Sequence, residues 1–481
     1  MNDYTVSTTD SQKNNLDLKI AKFFYANNIA FNAATTIEFK EMVTAMRPGY
    51  SGPTRTDLGG KLLDEVHENI EDEIKKEMQS VATVTLLLDG WSNINRDAVL
   101  ATCVHTGNSS FLLNAVDCES NKKTSEYCAE LAEKDIEHCE KNLDVKVFAI
   151  CTDNENKMVK LRQLIKEKHK GIVTYGCSAH YINLLADEIT NKDVIKHVAE
   201  VQKFFRNTHQ PHGLLKEKGG LMPQLPNATR WNSQIHCIDT YIKNYHKFVE
   251  ISTEAVVEIP TNIIRILDNV AIYKEALHMQ KQLSELSEVL NLMQAEKTNI
   301  STAVELWLDV FNSENLCAYK KQIDKRLNQA LLPIHYLANI MDPKYAGKRL
   351  TSDMLQKAEE WLETEHPKWL IPLMSYKLKD PEIFPPSMFN ADVIKKFSAS
   401  QWWKLVEMRT NDRDMTDFCN FMVALSNCPA SSASLERVFS TCGLVWSKLR
   451  NRLGVQKALK LVKIHRHLRL KNSNTDNLIY L

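Results

Sequence analysis

VATVTLLLDGW (residues 81–91), AVLATCVHT (98–106) and FLLNAVDC (111–118) decide how this chain folds. Each run is short, rich in β-branched and apolar residues, and bounded by polar links, which predicts three strands. Links this short join antiparallel neighbours, so the three form a meander. Beyond them the spacing predicts a helix over about 124–141 and a fourth strand at KVFAICTD (146–153). A helix from Met158 to Lys168 follows, then a short strand at IVTYGCSAH (172–180), then more helices.

Three strands, a helix, a strand, a helix and a strand predict a mixed sheet with helices against it, an α/β mixed fold. That order matches the RNase H-like fold. Upstream, Leu62, Val66, Ile70, Ile74 and Met78 recur every four residues, so 19–80 reads as a helical N-terminal region. Glu65, Glu68, Glu71, Asp72, Glu73 and Glu77 fall between them and read as a solvated acidic face. Residues 1–18 are polar and read as a flexible N-terminus. The strand-rich segment 81–235 is then the first part of the core, and 236–385 an all-helical insertion. In the insertion Leu283, Leu286, Leu290 and Met293, then Ile300, Val304 and Leu308, keep helical spacing. The proline-containing KDPEIFPPSMF marks a linker near 379–389. Residues 386–471 read as helices that complete the core, with 472–481 as a tail.

Composition narrows the function classes. The chain has 481 residues, with 60 Lys+Arg against 60 Asp+Glu. That length fits several domains. Zero net charge excludes a wholly basic nucleic-acid coat, so any such surface is a local patch. No apolar run approaches the roughly 20 residues of a membrane span, and residues 1–19 do not read as a secretory signal. Eleven Cys are scattered without a CxxC pair, which predicts a reduced, intracellular setting and argues against most zinc fingers.

Asp89 closes the first apolar run and Asp153 the fourth. Carboxylates at the ends of adjacent strands project toward one spot, and a divalent cation relieves their repulsion. Oxygen ligands suit Mg²⁺ or Mn²⁺. An aspartate at a strand end also simply starts a turn. Glu436, in SSASLERVFS, could supply a third carboxylate from a helix capped by Ser432 or Ser434, or be an ordinary helix residue. Cys177 and His180 have a Cys-x-x-His spacing. With His209 and His212 they could bind zinc, which is not expected; His180 reads better as a phosphate or water contact, or as packing. Arg230 and Trp231 could grip phosphate and stack on an unpaired base, or Trp231 could be core. From Trp446 to Lys471 there is no acid. Lys448, Arg450, Arg452, Lys457, Lys460 and Lys463 lead a basic helical face there, suited to phosphate or merely solvated. Leu435, Val438, Phe439 and Leu444 form an apolar stripe that buries against the core or a second chain.

Taken together, LLLDGWSN, ICTDN, CSAH, TRWNS, QWW (401–403) and SSASLERVFSTCG with KLRNRL resemble the hAT superfamily of transposases. NIMDPKYAGKRL (339–350) resembles a segment of their helical block. The last part is similar to the hAT dimerisation region, and 81–235 resembles the transposase-like domain that accompanies it. The resemblance implies an RNase H-like core interrupted by a helical insertion. It implies Asp89, Asp153 and Glu436 as a metal-binding acidic triad, Trp231 as the stack for a flipped base, and His180 as an active-site DNA contact. It implies DNA and a second copy of the chain as partners, no membrane, a nuclear location, and strand cleavage and joining with Mg²⁺ or Mn²⁺.

Two departures from the family pattern stand out. Many relatives begin with a zinc-binding BED finger, and the first 80 residues here hold no Cys. The TDN-x-x-N-M pattern reads TDNENKM, with Lys157 in place of Asn. Two functions therefore compete: a transposase-like nuclease, or a domesticated nuclear DNA- or chromatin-binding dimer.

Overall fold

The computed structural model describes residues 8–92, 98–118, 124–226, 232–254, 256–446 and 453–479. Contacts along the chain divide it into two units, 1–176 with 420–481 and 177–419. The texture of the sequence changes instead near 235 and 385.

The first unit is built on a five-stranded sheet in the order β3-β2-β1-β4-β5. β1 (Thr83–Ser92), β2 (Ala98–His105) and β3 (Ser110–Asp117) form the antiparallel meander expected from their short links. β4 (Lys146–Thr152) runs parallel to β1, and β5 (Val173–Gly176) parallel to β4. Each parallel step is made through a helix, Ser125–Asn142 and then Asn156–Lys168. Leu86, Leu87 and Leu88 are all buried, so helices cover both faces of β1.

Two polar anchors show which helix covers which face. Thr102 and Asn114 are cross-strand partners. Both donate to the buried Asp135 carboxylate, at 2.6 and 3.1 Å, and dock the Ser125–Asn142 helix on that face. His105 and Ser110, partners on the opposite face, meet the helix Ala433–Val445 through Ser434. Between the two pairs the β2/β3 register shifts, leaving Leu113 without a partner in the ladder.

Residues 10–18, read from their polarity as a flexible end, are the first half of a helix, Asp10–Ala26. Thr9 and Gln12 form a capping box that satisfies its first turn. Ala21, Phe24 and Tyr25 bury one face against the helix Lys61–Met78 and the closing helix Val455–Ile479. The Lys61–Met78 helix buries Leu62, Val66, Ile70, Ile74 and Met78 as the spacing predicts.

The described elements of the second unit are helical, and its core follows the expected stripes at Leu283, Leu286, Leu290 and Met293. The NIMDP segment is structural here. Asn339 donates to Glu305 at 2.8 Å and Ser301 to Asp342 at 3.0 Å, tying the Pro333–Met341 helix to Ile300–Asn312. Trp402 and Trp403 are buried and donate to the Met388 and Met341 carbonyls. The stretch 379–389, read as a linker, is packed instead. Phe384 is buried and stacks on Trp402, with ring centroids 6.0 Å apart. Among the described residues no helix is long and apolar enough to cross a membrane.

Candidate functional site

The site begins with register. Leu88 pairs with Thr152 at the last rung of the parallel β1/β4 ladder, so Asp89 and Asp153 are the next residue on each side of it. Asp89 was expected to end β1, but the strand runs on to Ser92, because β2 continues to pair with it after β4 stops. Asp89 is the partner of Ala101, which puts it on the face of the sheet that also carries His105.

A buried segment brings the third acid to the same face. Thr85 bonds Cys428 at 3.7 Å, and the Tyr175 hydroxyl donates to the Pro429 carbonyl at 2.9 Å. Residues 428–435 are buried throughout and deliver the helix Ala433–Val445, with Glu436 in its first turn. Ser432 occupies the N-cap, but its side chain makes no capping hydrogen bond there.

Electrostatics tie the three acids together. Burial, then the charge of Asp153, then that of Glu436 push the Asp89 carboxyl up to about 7, against the opposing hydrogen bond from the Gly90 N–H. Paired carboxylates with such a raised proton affinity are donor chemistry for a hard divalent cation. Among the described residues, however, no three His, Cys, Asp or Glu side chains are gathered to hold a metal ion. The adjacent aspartates are thus the ligand pair on offer, with Glu436 acting on Asp89 through its charge.

The sign of the Asp89 shift gives a test. Between about pH 4, where an unfolded aspartate ionises, and pH 7, the folded chain keeps a proton that the unfolded chain has released. Stability contributed by this group is present below pH 4 and lost as pH rises through 7. Asp89→Asn should therefore raise Tm by several degrees at pH 8 in metal-free buffer and by little at pH 4, measured by calorimetry.

One residue with no motif signature, Arg162, holds the Asp153 backbone in place. Arg162, on the Asn156–Lys168 helix, donates to the Thr152 hydroxyl, the Asp153 carbonyl and the Asn154 side chain. Asn154 in turn lies against Gly176, the partner of Thr152 on β5. A Cβ on Gly176 would fall 1.9 Å from Asn154 Oδ1. Gly176→Ala should therefore cost about 1–3 kcal/mol in urea unfolding. Asn154→Ala should recover much of that loss in the double variant, because it removes the atoms that clash.

Lys157 lies in the first turn of the same helix and pairs with Glu155 at 2.5 Å. That hydrogen bond, together with the charges of Glu155 and Asp153, holds its ammonium above the ordinary lysine pKa despite partial burial. The residue that departs from the family pattern therefore places a positive charge within reach of Asp153.

His180 belongs to the second unit, on the helix Ser178–Ile189, with its ring edge-on to Tyr181. Arg230, Trp231, Lys448, Arg450 and Arg452 lie outside the described residues. Lys457 is exposed. Lys460 pairs with Asp64 at 2.6 Å. Lys463 is only 8% exposed; it pairs with Glu71 and donates to the Leu113 carbonyl at 3.1 Å. Further along, His467 and Lys471 each meet Glu73 at 2.7 Å. This corrects two expectations at once: part of the acidic face on Lys61–Met78 and part of the basic face on the closing helix neutralise each other. Of the apolar stripe, Leu435 and Val438 are buried in their own unit and are not free for a partner. Phe439 is half-buried, and Leu444 is 60% exposed.

The fold is thus a five-stranded mixed sheet with flanking helices, consistent with an RNase H-like core. Residues 53–204 match a domain of unknown function (DUF659), and residues 376–468 match the hAT family C-terminal dimerisation region. Together the two matches support an hAT-family transposase-like protein. The second match supports self-association. No curated protein sequence matches the chain significantly.

Proposed function

We propose that this protein cleaves and joins DNA strands with a divalent metal ion on an RNase H-like core. The observation that carries the reading is the aspartate pair one residue past the last β1/β4 rung, with Asp89 driven up to about 7. The sheet order, antiparallel at one edge and parallel at the other, supports the RNase H-like assignment. Asp89 and Asp153 would hold Mg²⁺ or Mn²⁺, with Glu436 completing the charge. A bound ion of this kind stabilises charge in an in-line phosphoryl displacement. Arg162 holds the Asp153 backbone in place, and exposed Lys457 is free to meet a phosphate. Arg230 and Trp231 keep the base-stacking role, and His180 the DNA contact, that the family resemblance implies. DNA as substrate makes the nucleus the working compartment, and exposed Leu444 suits the self-contact. The test is nicking of supercoiled DNA by the full chain with Mg²⁺ or Mn²⁺, against a chelator control.

One observation favours the second reading, a domesticated DNA- or chromatin-binding dimer without transposition. Lys157 already brings positive charge toward Asp153. DNA binding without nicking in either metal would select it.

A further inference from the structure

The helix Leu370–Leu378, LIPLMSYKL, is apolar on more than the face its own core uses. Seven of its nine residues are apolar, and a helix that is apolar all round is normally covered all round. Pro372, Leu373 and Tyr376 fill its inward face. The buried Tyr376 ring lies between 5.3 and 6.2 Å from those of Phe384, Phe389, Trp402 and Trp403. Rolling the helix to hide its other side would pull Tyr376 out of that cluster. On the other side stand Ile371, Met374 and Leu378, spaced by three and four residues and 78%, 40% and 82% exposed. Among the described residues no other helix carries three large exposed hydrophobics at such spacing. Single exposed hydrophobics are ordinary, whereas a contiguous stripe marks an interaction site.

The surroundings of the stripe narrow its occupant. Lys368 pairs with Asp414 and Asp417 at 3.2 Å, and Lys377 pairs with Glu359. Lys379 lies over the Phe389 ring, 4.9 Å from its centroid. These lysines are engaged within the unit, so no open basic field recommends a nucleic acid or an acidic peptide. The match to the hAT C-terminal dimerisation region opens at residue 376 and takes in Tyr376 and Leu378. Ile371 and Met374 lie just before it on the same helix face. A two-fold contact sets one patch against its own copy, and an uncharged stripe meets itself without like-charge opposition. We propose that Ile371, Met374 and Leu378 form the apolar centre of a contact between two copies of this chain. The interface then begins upstream of the matched region. A stable contact buries at least about 1,000 Å² in all, so the stripe is its centre and polar neighbours form its rim. The inference rests on the self-association that the match supports.

The test is sedimentation velocity of the full chain across a micromolar dilution series. Wild type should sediment as a dimer that dissociates on dilution. Ile371→Glu and Leu378→Glu should each weaken association at least about tenfold, the loss expected when one Leu-sized side chain leaves an interface. The double variant should be monomeric throughout, while Leu378→Met should stay dimeric. Both glutamates replace residues exposed in a single copy, so at concentrations where wild type is monomeric the urea midpoint should not move. Leu444→Glu serves as the comparison. Association lost in Leu444→Glu but kept in the Ile371→Glu, Leu378→Glu double variant leaves self-association standing and overturns the stripe as its centre. A lower urea midpoint of the double variant under monomeric conditions means that one chain covers the stripe itself, and overturns it as well. Wild type that is monomeric across the series overturns self-association, and this inference with it.

Discussion

Lys463→Glu should cost about 3 kcal/mol of stability, within the range seen when one partner of a buried pair is lost. Its Nζ donates to the carbonyl of Leu113, the residue that the β2/β3 register shift leaves outside the ladder. Reversal leaves that carbonyl without its donor, a loss of about 1–3 kcal/mol. It also sets a carboxylate against Glu71, its present ion-pair partner. Lys460→Glu breaks a half-exposed pair with Asp64 and should cost about 1 kcal/mol or less. Lys457→Glu, on an exposed residue, should change stability by about 0.5 kcal/mol at most. Urea midpoints should fall in that order. Equal midpoints for Lys463→Glu and Lys457→Glu would show that the Leu113 contact carries no stability. The ranking also decides how DNA binding is read. A loss of binding in Lys463→Glu would report unfolding, whereas Lys457→Glu probes phosphate contact cleanly.

That correction shows where the sequence stops being legible. The five strands were readable because continuous apolar runs are local signals, and the antiparallel meander of the first three followed from link length. The apolar runs that lead to Asp89 and Asp153 were readable, but the parallel pairing of β4 with β1 came only from the fold. The pairing of Glu71 with Lys463 was not legible either. A charged face carries no address, and an acidic helix reads the same whether water or a basic helix covers it. The bond from Ser434 to Ser110 spans 324 positions and rests on two serines that no motif marks. Arg162 and Gly176 were missed for a different reason. Their roles depend on what the turn after β4 touches, and only the fold supplies that. Leu435 and Val438 had the right spacing for burial, but spacing does not say whether the core or a partner does the burying.

Asp153→Asn should abolish metal-dependent nicking while leaving the fold at least as stable as wild type. The amide oxygen can still accept the Glu155 N–H that Asp153 Oδ1 now accepts at 3.2 Å, so the turn survives. Arg162 holds the Asp153 carbonyl, which the substitution does not touch. What is lost is one of two adjacent negative charges, and with it the affinity for a divalent cation. The same loss removes a charge that raises the Asp89 carboxyl, so Asp89 should ionise at lower pH and weigh less against folding at pH 8. An inactive variant with an unchanged or higher Tm is thus the expected signature, and a variant that unfolds would count against it. Lys157→Asn acts on the same balance from the other side. It removes a cation within reach of Asp153 and should raise Mn²⁺ affinity and nicking by a few-fold. Equal inactivity of wild type, Asp153→Asn and Lys157→Asn on DNA, with binding retained, would leave the DNA-binding dimer as the surviving reading.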